Sequence, residues 1–436
     1  MRFLGVGDSC DLLALYRELV ADGHEVKVGI ENPLCYKTGQ GIITRVEDWR
    51  DEIDWVRAAG RDGIILFENV AAGRGHEQDI LRNAGLHVIG GSAYGDRLEN
   101  DRAYAQSILG ELGLQICRIH EFADGLNALC FIDEHPGRYV LKFNGQAFAS
   151  CDNYVGRLTD GSDVRAVLAA KLAAAGQGKA SFVLMEHVSG VEMGVGAYFN
   201  GHDFLAPACL DWEHKRFFPG DMGELTGEMG TVVTYERTAP FFERTLGRMA
   251  PLLRKNGYCG YINLNTIVND QGIWPLEFTC RFGYPGYAIL ASLQVQGWAP
   301  LFASIIRKSA TSFETYPGFS LGIVLTTPPF PYTREHVEEA VGLPVLVGAE
   351  LSPVEKLHLH YGEVGLEADN LITSGMYGWT MVVTGRGDSI GIAKKSAYAL
   401  AEKLYIPNMR YRADIGDRLI AGEFAFVEQL GLLGPT

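Results

Sequence analysis

The chain has 436 residues, of which 47% are hydrophobic and 21% charged. These proportions are ordinary for a globular protein and argue against disorder. Lys and Arg number 38 against 53 Asp and Glu, for a net charge of −15, which speaks against a general nucleic-acid backbone binder but leaves room for one local anion pocket. At about 100–200 residues per domain, the length predicts two to four domains.

The eight cysteines form no CxxC pair, so a zinc knuckle or thioredoxin-like motif is not expected. Reduced thiols in a cytoplasmic protein are the expected state. The opening Met1-Arg-Phe-Leu-Gly-Val-Gly7 does not read as a signal peptide. No apolar run reaches the roughly 18 residues of a membrane span, and no membrane partner is expected. The 53 glycines exceed the usual share near 7%. They predict many tight turns or close approaches of backbone to ligand.

In chain order, Phe3–Val6 reads as a strand and Gly5-Val-Gly7-Asp8-Ser9 as a turn. Asp11 to Asp22 has helical spacing, and Val26–Ile30 reads as the next strand. Gly63–Phe67, a helix near Glu77–Asn83 and Val88–Ile89 continue the alternation, which predicts a parallel sheet. Gly5-x-Gly7 invites a dinucleotide fingerprint, with Glu31 where a ribose-binding acid belongs. Cys10 stands where the third glycine would be, so plain strand–turn–helix geometry is the preferred reading and an NAD(P)-dependent oxidoreductase the weaker rival. A helix over 100–112 then leads into a strand-rich region. After 313–318 come strands at Gly322–Thr326 and Gly378–Thr384 and an amphipathic helix from Ser389 to Leu404.

Four central segments carry chemistry. Tyr139-Val-Leu-Lys142-Phe puts one lysine on an apolar strand, where a nucleotide phosphate is a suitable counter-charge. Phe182-Val-Leu-Met-Glu186-His187-Val188 ends a strand at an acid, with Glu192 following. Such a strand end can pair with a purine edge, and a carboxylate can accept ribose hydroxyls. Next, Asp211-Trp-Glu213-His214-Lys215-Arg216 places three potential cations before a loop with Gly220, Gly223, Gly227 and Gly230, a candidate anion nest. Last, Asn263–Asn269 and Gly272–Thr279 flank an Asn-Asp-Gln-Gly turn and predict an antiparallel hairpin. Asn263 and Asn265 share one face of its first strand, and Glu277 and Thr279 share one face of its second. These hard oxygens suit Mg²⁺ with nucleotide phosphate. Arg281, two residues on, suits a phosphoryl oxygen or a carboxylate.

In this order the segments resemble the ATP-grasp ligases, in particular the phosphoribosylamine–glycine ligase family. The motifs that carry the likeness are Leu98-Glu99-Asn-Asp-Arg102, Lys142, Glu186-His-Val188, Asp211 with His214-Lys215-Arg216, the 220–230 glycine loop, Glu277, Arg281-Phe-Gly283, and Tyr411-Arg412-Ala-Asp414-Ile-Gly416. The resemblance implies an α/β and α+β multidomain fold. It would comprise an N-terminal parallel-sheet α/β domain over 1–99, an ATP-grasp domain over 100–312 and a C-terminal mixed β-rich domain over 313–436. It implies an ATP-dependent carboxylate–amine ligase of the purine-biosynthesis type, acting through an acyl phosphate on small-molecule substrates, as monomer or homodimer. ATP and Mg²⁺ (or Mn²⁺) are the implied cofactors.

By the same resemblance Arg281, Lys215 and Asp211 are expected to be catalytic. Arg102, Lys142, Glu186, His187, Val188 and Glu192 are expected to bind ATP. Glu277, Asn265 and Thr279 are expected at the metal, and His214, Arg216, Gly227, Met229 and Gly230 at the substrate. The chain also departs from the family. No lysine follows Lys142 until Lys171. The metal pair Glu-x-Asn is Glu277-x-Thr279, and the segment after Arg-Phe-Gly reads Tyr284-Pro-Gly286. The N-terminal Gly-Gly-Arg-Glu-His turn is Gly7-Asp8-Ser9-Cys10-Asp11, and the C-terminal Gly-Gly-Arg is Gly375-Met376-Tyr377. These changes fall where amine and phosphates are expected. They motivate two further readings: a relative acting on another amine or amino acid, and a nucleotide-binding protein without ligase activity.

Overall fold

A computed structural model describes residues 1–68, 73–143, 153–175, 182–332, 337–348 and 350–435. The glycine turn that Gly145 predicts after the Lys142 strand lies outside them. The N-terminal alternation forms a parallel sheet of β1 (Arg2–Gly7), β2 (Glu25–Ile30), β3 (Thr44–Val46), β4 (Gly63–Phe67) and β5 (Val88–Ile89), in the order β3-β2-β1-β4-β5. Its strands are apolar on both faces. Phe3, Val28, Ile64 and Leu66 enter the main core, while Leu4, Val6, Ile65 and Phe67 pack with Trp49 and Leu81 on the other side. Burial on both faces is the usual condition of a parallel sheet.

The helix expected over 100–112 is present as Arg102–Glu111, and a further helix, Ala93–Asn100, precedes it. Asp101 breaks them, with φ −107° and ψ 88°, and its side chain accepts the Tyr104 N–H. An acid at this N-cap is the physical cause of the break.

Strands β6 (Ile119–Phe122), β7 (Tyr139–Phe143), β8 (Tyr154–Val155) and β9 (Phe182–Glu186) form an antiparallel sheet in the order β6-β9-β7-β8. One face packs on the helices Gly125–Glu134 and Ser162–Ala175 through Ala128, Ile132, Val164 and Leu168. The other carries Val140, Val183 and Met185 toward Trp274 and Leu276.

The largest sheet begins with β10 (Val191–Asn200) and β11 (Cys209–Glu213). A small hairpin of β12 (Arg216–Phe218) and β13 (Met222–Leu225) follows. Then come β14 (Gly230–Thr234), β15 (Cys259–Asn269), β16 (Gly272–Thr279), β17 (Phe319–Thr326), β18 (Leu346–Val347), β19 (Leu359–Tyr361), β20 (Val364–Glu367), β21 (Asn370–Thr373) and β22 (Trp379–Gly387). Eight of these hydrogen-bond in the order β16-β15-β10-β11-β14-β17-β22-β19, all antiparallel. The sheet therefore runs across the boundary expected at 312/313, because β17 pairs with β14 along five residues. One buried apolar cluster likewise extends from Phe3 to Leu432.

The seven described cysteines are free thiols. Among the described residues no helix is long and apolar enough to cross a membrane.

Candidate active site

The expected hairpin is present as β15–β16, turning at Asn269–Gly272. Its register sets Asn265 opposite Glu277 and Asn263 opposite Thr279. On the other side of β15, Gly194 of β10 lies opposite both Asn265 and Asp211. Since side chains alternate along a strand, Glu192, Asp211, Glu213, Asn263, Asn265, Glu277 and Thr279 all stand on one face of the sheet. Gly194 is what makes room. A Cβ there would meet the Asp211 carboxylate at 2.2 Å.

Glu277 is the hub. Its Oε2 accepts from Arg102 Nη2 at 3.0 Å and from Lys142 Nζ at 3.4 Å, while its Oε1 accepts from Lys215 Nζ at 3.2 Å. Lys142 comes from the facing sheet and Arg102 from the N-terminus of the helix Arg102–Glu111, so three segments converge on one carboxylate. Lys142, Lys215 and Arg102 together hold the Glu277 carboxyl well below its usual range, against burial. Burial brings Lys142 down to about 8, although Glu277 opposes the shift. Lys215 moves the other way. Burial disfavours its charge, but Glu192 at 2.8 Å, Glu213 at 3.2 Å and Glu277 outweigh that cost.

Asn265 donates its amide to Glu192 at 3.2 Å and to Glu213 at 3.0 Å. Its Oδ1 is buried without a hydrogen-bond partner. A lone hard-oxygen acceptor directly across from Glu277 fits the metal role expected for that pair. Thr279 is half-buried on the same face, opposite Asn263.

Other expectations need correction. His214 is buried, 3% exposed, and does not contribute a positive charge. Its Nδ1 faces the Trp212 carbonyl at 3.2 Å and its Nε2 accepts from the Gly416 N–H at 3.2 Å. Burial, and then Arg412 and Arg418, lower its pKa to about 4. Met229 is fully buried against Phe217, Phe330 and Trp379. Gly230 is the first residue of β14, with its carbonyl bonded to the His214 N–H. Both are packing positions because the stretch expected to be one loop is mostly the β12–β13 hairpin and the start of β14. Gly227 alone of these is exposed.

Arg216 donates to the Gly223 carbonyl at 2.8 Å and closes that hairpin. Burial, and then the charge of Arg157 just after β8, lower its pKa. Asp211 does not reach the hub directly. It accepts from Asn263 at 2.5 Å, its other oxygen has no partner, and burial followed by Glu213 raises its pKa to about 8.

Arg281 is held by Glu99 at 3.1 Å, and its charge also faces Asp11. Glu186 stands exposed at the end of β9, near Arg118 and His120. The His187 N–H is bonded to the Arg138 carbonyl at 2.9 Å, and Val188 packs beside Met185 and Trp274. Glu192 is not at this hinge but in the acid group around Lys215.

Three residues escaped the sequence reading. Glu213 follows Asp211 by two and therefore shares its face, a signal that strand alternation already offered. Glu99 anchors both the Cys280 N–H at 2.7 Å and Arg281. Glu228 is buried, bonded to Thr231, with its charge strongly disfavoured by burial and then by Glu213 and Asp211. No local pattern marks the last two.

Two facing sheets close on one carboxylate–lysine–arginine hub. Residues 100–287 match the family model of the phosphoribosylglycinamide synthetase ATP-grasp (A) domain. The chain is similar to phosphoribosylamine–glycine ligase. It is 29% identical to that of Pseudomonas syringae pv. tomato over 79% of this chain and 80% of the relative. It is 26% identical to that of Rhizobium meliloti over 90% and 92%. The fold matches the crystal structure of the Thermotoga maritima enzyme with a TM-score of 0.72 at 21% identity, covering 95% of this chain and all of that one. It matches N5-carboxyaminoimidazole ribonucleotide synthetase of Thermus thermophilus with a TM-score of 0.57 at 14% identity, covering 92% and 98%.

Proposed function

We propose that the chain joins a carboxylate to an amine at the expense of ATP, through an acyl phosphate, on the pattern of phosphoribosylamine–glycine ligase. The observation that carries this reading is the convergence of Arg102, Lys142 and Lys215 on Glu277 from three separate segments. Without nucleotide Arg102 and Lys142 pair with that carboxylate, and Lys215 shares it while also pairing with Glu192 and Glu213. A polyphosphate offers them a better counter-charge, which frees Glu277.

In this reading Lys142 and Arg102 hold phosphate oxygens, and Glu186, His187 and Val188 border the adenine at the end of β9. Glu277 and Asn265 Oδ1, with Thr279 beside them, would hold Mg²⁺. Such an ion would supply positive charge against the phosphates. Among the described residues no group of three or more His, Cys, Asp or Glu is arranged as a metal cage. Phosphoryl transfer needs positioning and charge neutralisation rather than an enzyme nucleophile. Arg281 and Lys215 supply positive charge, Arg216 and Gly227 border the carboxylate substrate, and Asp211 positions Asn263. The division into domains at 99/100 and 312/313 is kept only for the first boundary, since β17 continues the central sheet.

The test is ADP release with ATP, Mg²⁺ and a panel of carboxylates, with hydroxylamine as acyl-phosphate trap. Glycine with phosphoribosylamine is the reference pair. Glu277→Ala is expected to lower ADP release at least about a hundredfold, and full release from that variant would sink the metal assignment. A second reading is favoured by Thr279 in place of the family's asparagine: a protein that binds nucleotide without ligating. Saturable ATP binding with no trapped hydroxamate from any carboxylate would establish it.

A further inference from the structure

Three of the departures from the family lie far apart in sequence, at 8–11, 284–286 and 376–377. In the structure they meet. The parallel sheet reverses its winding between β1 and β4, and ligands of open α/β sheets sit outside the carboxyl ends of the strands at such a point. The turn Asp8-Ser9-Cys10-Asp11 leaves β1 there, with Cys10 at φ 67°, and Glu68 directly follows β4.

Glu68 is 2% exposed. Its Oε2 accepts the Asp11 N–H at 2.8 Å, while its Oε1 is buried near the Tyr16 phenol without a well-formed hydrogen bond. Only a glycine at position 7 admits it, because a Cβ there would meet Oε2 at 2.2 Å. Ser9 Oγ donates to Asp11 Oδ1 at 2.6 Å and fixes that second acid.

The C-terminal part of the chain covers this turn with aromatic rings. Tyr377 stacks on Trp379 at 5.4 Å and 28°, and Trp379 on Tyr284 at 5.2 Å and 27°. All three are half-buried. Glu363 shapes the segment by accepting the N–H groups of Tyr377, Gly378 and Trp379. The segment is tied to the N-terminal unit through Asn32 with Met376 and through the Gly39 N–H with the Val364 carbonyl at 2.8 Å.

The rings and the acids are near neighbours. Burial raises the Tyr377 phenol to about 12, and Asp11 and Asp8 add to the shift. Burial raises that of Tyr284 as well, with Glu363 and Asp11 contributing. Three arginines put their charge on the turn, and Arg45, whose charge reaches Cys10, donates to the Tyr36 carbonyl. Arg74 is bound to Asp8, Glu31 and Glu77, and Arg281 to Glu99.

We propose that this cleft is the subsite for the amine, and that its occupant is an organic cation without phosphate: a primary ammonium seated against Asp11 and Oε1 of Glu68, with a flat or apolar body against the Tyr377–Trp379–Tyr284 stack. The inference rests on the ligase reading for the word amine but not for the binding. One buried carboxylate oxygen short of a good donor calls for an N–H group, and stacked rings beside it favour a cation with a flat body. A phosphate ester would meet carboxylates and no unengaged arginine among the residues named.

The test titrates the full chain, by tryptophan fluorescence, with tyramine, with uncharged N-acetyltyramine and with phosphoethanolamine. Hydroxylamine-trapped ADP release is measured in parallel. Tyramine is expected to saturate at a concentration at least about tenfold lower than either competitor. Asp11→Arg and, independently, Tyr377→Arg are expected to shift the tyramine-to-phosphoethanolamine ratio at least about tenfold toward the phosphate. Phosphoethanolamine binding as tightly as tyramine to the native chain would overturn the inference, and so would an unchanged ratio in folded variants. Trapped ADP release without tyramine preference sinks the cleft alone. Tyramine preference without ADP release sinks the ligase reading alone.

Discussion

Glu277 is a single carboxylate serving three cations, and its removal has two opposed consequences. Glu277→Gln leaves Arg102, Lys142 and Lys215 without their common partner. Metal-free ATP is therefore expected to bind several-fold more tightly to the variant, while Mg²⁺-dependent turnover falls. Calorimetry in EDTA beside an ADP-release assay checks both, and unchanged metal-free affinity would show that the three cations do not face phosphate. Lys142 adds a pH signature. With burial lowering its pKa to about 8, it carries charge below that pH and loses it above. Affinity for ATP is expected to decline as pH rises through about 8. Lys142→Arg keeps its charge and is expected to move that decline out of range. A wild-type profile flat to pH 10 would refute the assignment.

The sheet face works at the scale of the element because four strands bring their polar sides into register. Much of this was legible. The Asn-Asp-Gln-Gly turn and the alternation at 263, 265, 277 and 279 defined the hairpin, and period-2 geometry placed its oxygens together. The same rule applied to β11 would have added Glu213. The lateral order of the strands was not legible, and so neither was the role of Gly194, which faces both Asp211 and Asn265. Gly194→Ala forces a methyl against a buried carboxylate. It is expected to cost about 1–3 kcal/mol, read as a lower urea midpoint, and to weaken metal-supported ATP binding as the oxygens shift. A midpoint equal to that of the native chain would mean the sheet yields freely there.

Across the whole molecule, β14–β17–β22 carries the central sheet into the C-terminal part of the chain, and His214 sits at that junction, bonded to the Gly416 N–H. Its folded pKa of about 4 lies below the ordinary 6.5 because burial and then Arg412 oppose its charge. The unfolded chain therefore binds the proton first as pH falls. The contribution is fully present above about pH 6.5 and is lost on descent through about 4, by roughly 3 kcal/mol at most. Urea midpoints measured from pH 7 to 4 are expected to fall less steeply for His214→Gln than for the native chain. Parallel profiles would remove the residue from the acid limb.

The sequence by itself determined which charged and polar residues lie on a strand and which side of the strand they occupy. It gave away Lys142, Glu277 and the β15–β16 hairpin because backbone geometry sets those periodicities locally. The charge state of His214, the burial of Met229 and the break at Asp101 needed coordinates, although the acid at 101 was a readable cap. Only the tertiary structure decided that Tyr284, Trp379 and Tyr377 stack together and that Arg102, Lys142 and Lys215 share one carboxylate. The reason is physical. Partners and proton affinities depend on burial and on contacts between segments up to hundreds of residues apart, and those are properties of the packed chain rather than of any stretch of it.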